Sequence, residues 1–265
     1  MKKKTNLILT LLLACLLSST TAFAKEVAIP GTGDGVVVLE AIAKAFTKSE
    51  GVTVRVPKSI GSGGAVKVVG KDQAILGRVA RGIKDKEKHY GLEYKPLFEV
   101  PTVIFVNENV TVDNLTEKQV IDIFSGKITN WKDVGGQDAS IIVVRREDKD
   151  SSLNNLKKTF PGFKNIVFPQ NATLAEKTYI MTAQIANRPN SIGFGPYDVA
   201  LAKGLKALSI NGLKPTNSDY SYYGTIGLVY KTAKLDDNSK KFLAFAISDE
   251  AHPAVKEAGG REVMH

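Results

Sequence analysis

The sequence predicts an α/β architecture, on three observations. Short apolar, β-branched runs alternate with longer runs of helical period along most of the chain. Two of the strand-to-helix turns are rich in glycine and hydroxyl residues, and a third ends in two serines. No repeat, low-complexity tract or flexible linker divides the 265 residues, so two small lobes, if present, share strands and connections.

The elements follow in order. "EVAIP" is a first strand, and "VVVLEAIAKAFTKS" is the helix after it, with Leu39, Ile42, Ala43 and Phe46 on one stripe. "VTVRV" at 52–56 and "AILG" at 74–77 are the next strands. "LFEVPTVIFVN" at 97–107 is long and apolar, and Pro101 near its middle predicts a break or an edge. In "LTEKQVIDIFSGK", Thr116 and Gln119 have capping-box spacing, Val120, Ile123 and Phe124 form the buried face, and Gly126 ends the helix. "SIIVV" at 140–144 is a strand that carries Arg145 and Arg146 to its C-terminal end, where "SSLNNLKKTF" starts a helix. "TLAEKTYIMTAQIA" is a helix, "SIGFG" and "TIGLVY" are strands, and two helices with Pro253 between them close the chain.

Residues 1–24 have the pattern of a cleavable export signal: a basic start, a short apolar run and "AFA" before Lys25. The rival reading is a lipobox around Cys15; cleavage after Ala24 instead removes the only cysteine. The compartment is then the periplasm, or the exterior of a cell without an outer membrane. Of the formal net charge of +9, three units lie in that segment. The remaining basic residues are scattered, form no arm and do not alternate with aromatics, which argues against nucleic acid as a partner.

Chemistry concentrates in three loops: "PGTGDG" at 30–35, "SIGSGGA" at 59–65 and "VVRREDKDSS" at 143–152. Each joins a strand to a helix, and the first N–H groups of a helix have no internal partners, so an anion is favoured there. Neither glycine loop is a Walker A or a dinucleotide fingerprint. Arg78 and Arg81 follow the third strand, one expected in the cleft and one at the surface. Arg145 and Arg146, as strand neighbours, should point opposite ways. Glu147 and Asp148 read as a solvated turn. Histidines 89, 252 and 265 have no metal-ligand spacing, and His89, four residues after Asp85, reads as a surface contact. Trp131 reads as a core or hinge plug. No GxSxG elbow is present, so no catalytic residue, metal or cofactor is expected.

The succession "GTGDG", "GSGGA", "LGRVARGIKDKE", "LTEKQVIDIFSGKITNWKDVGG", "VVRREDKDSS" and "NSIGFGPYD" resembles the PstS-like, phosphate-binding branch of the periplasmic solute-binding proteins. The resemblance implies a two-lobed type II periplasmic-binding-protein fold, with mixed sheets flanked by helices and a ligand cleft between the lobes. It implies lobe 1 at 25–102, lobe 2 at 103–200, and the return crossover with the remainder of lobe 1 over 201–265. It also implies a monomer that captures a small oxyanion, phosphate first, for an ABC permease or a sensor, without catalysis. A binder of a different small solute and a ligand-silent interaction domain of the same fold are the alternatives.

Carried over residue by residue, the resemblance places the ligand against Thr32, Gly33 and Asp34, then Ser62, Gly63 and Gly64, then Arg81, and finally Arg146, Asp150, Ser151 and Ser152. The departures are also specific. Asp34 stands where a small or hydroxylated residue is usual, Ala80 replaces a serine, and Asp150 replaces a hydroxyl donor. One inward carboxylate suits an anion that carries its own hydrogen, as a protonated phosphate does. Two inward carboxylates fit plain phosphate poorly. The sequence therefore predicts that one of Asp34 and Asp150 turns away, pairing with Arg145 or Lys149, or that the ligand is of another kind.

Overall fold

The protein was analysed as a computed structural model, which describes residues 26–263; the expected export signal and the Cys15 alternative lie outside them. The alternation expected from sequence is present. β1 (Val27–Ala28), α1 (Val36–Glu50), β2 (Val54–Arg55), α2 (Gly61–Gly70) and β3 (Leu76–Val79) come first. The long strand β4 (Glu93–Val106) follows, then β5 (Asn114–Leu115), α3 (Glu117–Phe124), β6 (Ile142–Arg146) and α4 (Ser151–Thr159). Next are β7 (Thr173–Ala175), α5 (Thr178–Asn187), β8 (Ser191–Pro196), α6 (Tyr197–Ala202), β9 (Lys206–Ala207) and β10 (Ser209–Ile210). β11 (Tyr223–Tyr230), α7 (Asp237–Ala246), α8 (His252–Glu257) and β12 (Arg261–Glu262) complete the described chain.

The main sheet runs β3-β11-β4-β8-β6-β7, with β12 and β9 also pairing with β4. It is mixed: β11 is antiparallel to β3 and β4, β4 is antiparallel to β8, and β6 is parallel to both β7 and β8. β4 belongs to two neighbourhoods. Up to Pro101 it pairs with β11, and from Thr102 it pairs with β8. The proline expected to mark a break thus sits where the strand changes partners, since its nitrogen has no hydrogen to give to a continuous ladder.

Two cores lie on either side of that change. One gathers Leu39, Ile42, Phe46, Phe98, Ile226 and Phe242. The other gathers Phe105, Ile123, Phe124, Trp131, Phe163 and Phe194. Residues of 205–223, including Leu208, Ile210, Tyr220 and Tyr222, pack in the second core. The chain therefore rejoins the first core at β11. Trp131 is a core residue, as expected, and its indole Nε1 donates to the Asn190 carbonyl at 3.0 Å.

Local expectations hold at α1, whose predicted stripe is buried, and at α3, whose Thr116–Gln119 capping box is formed. Residues 173–186 depart from the single helix expected. Thr173–Ala175 form β7 and the helix starts at Thr178, because an unpaired edge of β6 was available to bind the segment as a parallel strand. Pro253 lies in the first turn of α8 rather than between the helices, where a missing N–H costs nothing.

Candidate functional site

The three loops singled out in the sequence do start α1, α2 and α4, and they meet between the two cores. From the first loop, Thr32 is buried and its Oγ1 accepts the Asp34 N–H at 3.2 Å. Gly33 passes so close to α5 that a Cβ there would lie 2.6 Å from Thr178 Oγ1. From the second, Ser62 Oγ accepts the Ala80 N–H at 3.1 Å and lies 3.1 Å from Ser151 Oγ on the opposite side. Ser152 Oγ donates to Asp34 Oδ2 at 2.9 Å. Two serines of α4 thus reach across to residues at the starts of α1 and α2.

Arg146 is 3 % exposed and points into this junction. Arg145 turns the other way, its guanidinium 5.9 Å from the Phe168 ring centre, as strand alternation requires. Arg146 Nη2 lies 2.7 Å from Asp150 Oδ2. Its Nε donates to the Ala175 carbonyl at 2.9 Å, and its Nη1 to Thr178 Oγ1 at 3.1 Å. Nε and Nη2 also donate to Glu147, at 3.0 and 3.2 Å. Glu147 is therefore a partner of Arg146 rather than part of a solvated turn; Asp148 is exposed as expected.

Neither acid turns away. Asp34 and Asp150 are each 6 % exposed; Asp34 accepts from Ser152 and feels the charge of Arg146, and Asp150 pairs with Arg146 directly. Asp150 pairs with Arg146, not with Arg145 or Lys149, because it caps α4. Its Oδ1 accepts the Leu153 N–H at 2.8 Å, which fixes the carboxylate beside the strand that precedes the helix. Burial pushes Asp34 up to about 6, against the opposing pull of Arg146. Burial, reinforced by the charge of Asp34, pushes Asp150 up to about 7. A third acid, Asp198 at the start of α6, accepts the Val37 N–H of α1 at 3.0 Å, and burial pushes it up to about 6.

The arginines of β3 divide differently from expectation. Arg78 is fully buried and faces neither cleft nor solvent. It donates to the backbone carbonyls of Ile29, Thr32 and Pro57, fastening the first loop to β3. Arg81 holds Glu87 in a two-point ion pair, both bonds at 2.7 Å, and lies beside Gly63 at the start of α2. Gly63 is exposed and Gly64 half-buried, so both lie at the margin of the cluster. Asp85 pairs with Lys88 rather than His89. A cavity of about 10 Å³ bordered by Asp34, Ala80, Thr102, Ser151 and Asn155 remains between the cores, room for about one water molecule.

Sequence reasoning missed Glu147, Thr178 and Asp198. Reading 173–186 as one helix hid that Thr178 opens a helix after a strand, the same form as the three recognised loops. Asp198 carried the same signal, an acid just after the strand "SIGFG".

Chemically, the junction offers one guanidinium, several hydroxyls and carboxyls that burial makes easier to protonate. Such a set can donate to anionic oxygens and accept from a hydroxyl on the same ligand. Among the described residues no group of histidine, cysteine and acid side chains is arranged to hold a metal ion.

Comparison with known proteins points the same way. The pattern of the PBP superfamily domain matches residues 18–250. Phosphate-binding protein PstS of Borreliella burgdorferi is 26% identical over 194 residues, covering 68% of this chain and 69% of that one. Phosphate-binding protein PstS of Staphylococcus saprophyticus is 28% identical over 258 residues, covering 87% and 79%. A crystal structure from Clostridium perfringens, assigned as a phosphate ABC transporter substrate-binding protein with bound phosphate, superposes with a TM-score of 0.80. It is 28% identical and covers 90% of this chain and 100% of that one.

Proposed function

The chain belongs to the PBP superfamily, and on that premise we propose that it captures a small tetrahedral oxyanion, phosphate first, between its two lobes. It is an exported, periplasmic solute-binding protein and not an enzyme; the delivered anion passes to an ABC permease or a sensor. The lobes are taken as 25–102 with about 224–265, and 103–223, following the two cores.

One observation supports the ligand class: the pairs Ser62–Ser151, Ser152–Asp34 and Arg146–Thr178 put hydroxyls, a carboxyl and a guanidinium where the starts of α1 and α2 meet α4 and α5. In this reading the serine hydroxyls and Arg146 move from their internal acceptors onto the oxygens of the anion. Asp34 accepts the hydrogen of the bound anion. Thr32 and Gly33 shape the approach, and Gly63, Gly64 and Arg81 form the rim.

The phosphate bound by the Clostridium perfringens relative supports the choice of ligand. A carboxylate that accepts a hydrogen bond also disfavours sulfate, which has no hydrogen to give near neutral pH. The inward position of both acids favours one second reading, a solute that carries an amine beside its acid group. Thermal-shift titration with phosphate, arsenate, sulfate and aminomethylphosphonate distinguishes them. Stabilisation by phosphate and arsenate alone supports the first reading. Stabilisation by aminomethylphosphonate alone supports the second.

Arg146→Ala should weaken phosphate binding at least about tenfold, since it removes a charged two-pronged donor. Unchanged affinity in calorimetry would take Arg146 out of the site.

A further inference from the structure

Asp34 and Asp150 come from opposite sides of the cleft and lie within the influence of the same guanidinium, Asp150 by direct pairing and Asp34 through its charge, while Ser152 of α4 donates to Asp34. The charged groups around them can be named element by element. β6 and the residue after it supply Arg146 and Glu147, and α6 supplies Asp198. α4 supplies the neutral Ser151 and Ser152, and α5 the neutral Thr178. On the first side, Arg78 is committed to three backbone carbonyls and Arg81 to Glu87.

Arg146 thus pairs with the buried Asp150 and the half-buried Glu147 and acts on the buried Asp34, which also feels the charge of Asp198. A doubly charged anion added to that set would meet like charges with little solvent to screen them. A proton placed on one acid lessens the repulsion and creates a further donor toward the anion.

We propose that Asp34 and Asp150 share one proton in the closed, loaded cleft, so that capture of the anion takes up a proton and favours a singly charged, protonated oxyanion. The proposal rests on the oxyanion reading of the site and specifies which charge state that site accepts. The proton comes from solvent and returns to it on release. Burial pushes both carboxyls into the range where this exchange occurs near neutral pH. Asp150 is the specificity-determining member, because its second oxygen also holds the α4 cap and cannot swing away.

The test is calorimetric titration of inorganic phosphate into the exported chain, from pH 5.5 to 8.5, in buffers of different ionisation heat. Wild type is compared with Asp150→Asn, in which asparagine keeps the helix cap, and with Asp34→Asn, which serves if the first variant fails to fold. Using one ligand throughout cancels its own titration from the comparison. Above about pH 7 the wild-type affinity should fall about tenfold more per pH unit than that of the variant, with about one more proton taken up on binding. Equal pH slopes and equal proton uptake in wild type and variant would overturn the shared proton while phosphate binding stands. No binding of phosphate or arsenate at any pH would overturn the oxyanion reading itself, and the shared proton with it.

Discussion

Asp150 does two things with one carboxylate: Oδ1 caps α4 and Oδ2 holds Arg146. Its position in the sequence made it an acid where a hydroxyl was expected, but not the partner it chose. Alternation made one of Arg145 and Arg146 legible as the inward arginine, and the resemblance picked Arg146. The ion pair was not, because it depends on the chain turning into a helix at residue 151 and bringing the fourth residue back beside the strand. Arg78 was illegible for a related reason. All four residues of β3 are buried, so alternation assigns no outward face, and the acceptors come from distant loops.

The raised carboxyls give the stability a definite pH dependence. Asp150 stands near 3.8 when exposed and at about 7 here, so the native state holds more protons than the unfolded chain between those values. Its contribution is full below about pH 4 and is lost as pH rises through 7; Asp34 and Asp198 act with the same sign up to about 6. Asp122, held low by the Lys118 ammonium, has the opposite sign and weakens the fold at the acid end. The melting temperature should therefore be higher at pH 5 than at pH 8. Asp150→Asn should flatten that dependence. A melting temperature that rises from pH 5 to pH 8 would contradict these shifts. Arg78→Met should cost about 3 kcal/mol, because it leaves buried carbonyls without a donor, read as a lower urea midpoint at unchanged slope.

At the scale of elements, the sequence was most informative where a local chemical signal coincided with the tertiary arrangement. The capping box of α3 is an example: Thr116 Oγ1 accepts from Gln119 N at 3.2 Å, and Gln119 Oε1 accepts from Thr116 N at 2.8 Å. Thr116→Ala should cost about 1 kcal/mol in equilibrium unfolding; no change would show that tertiary packing alone holds the first turn. β7 was misread because "TLA" has no strand signature strong enough to separate it from the helix that follows. What makes it a strand is the free edge of β6, a partner outside the local window. Pro101 was read as a break, and its physical content was the change of partners along β4. Thr178 was missed with β7, whose three residues were read as helix, whereas Asp198 follows a strand that was recognised and was passed over.

On the scale of the whole molecule, the two-core α/β plan was legible from alternation and from the order of the motifs. The point of return was not, since residues 205–223 lack a periodic pattern and join the second core through Leu208, Ile210, Tyr220 and Tyr222. Closure of the two lobes depends on short contacts between α4 and α5 on one side and the starts of α1 and α2 on the other. At Gly33 this junction leaves no room for a side chain. Gly33→Ala should hold the lobes apart, since its Cβ would meet Thr178 Oγ1 at 2.6 Å and Thr178 Cβ at 3.0 Å. Expected outcomes are a larger radius of gyration in small-angle scattering and phosphate affinity reduced about tenfold or more. A scattering curve and affinity equal to wild type would show that the junction yields to the methyl group.

The central claim is that the buried convergence on Arg146 is an oxyanion site, and isothermal titration of phosphate into the exported chain at about pH 6 tests it most directly. The account predicts saturable one-to-one binding, shared by arsenate and lost or weakened at least about tenfold in Arg146→Ala. Absence of any saturable heat with phosphate and arsenate, in protein that is folded and free of bound anion, would contradict it.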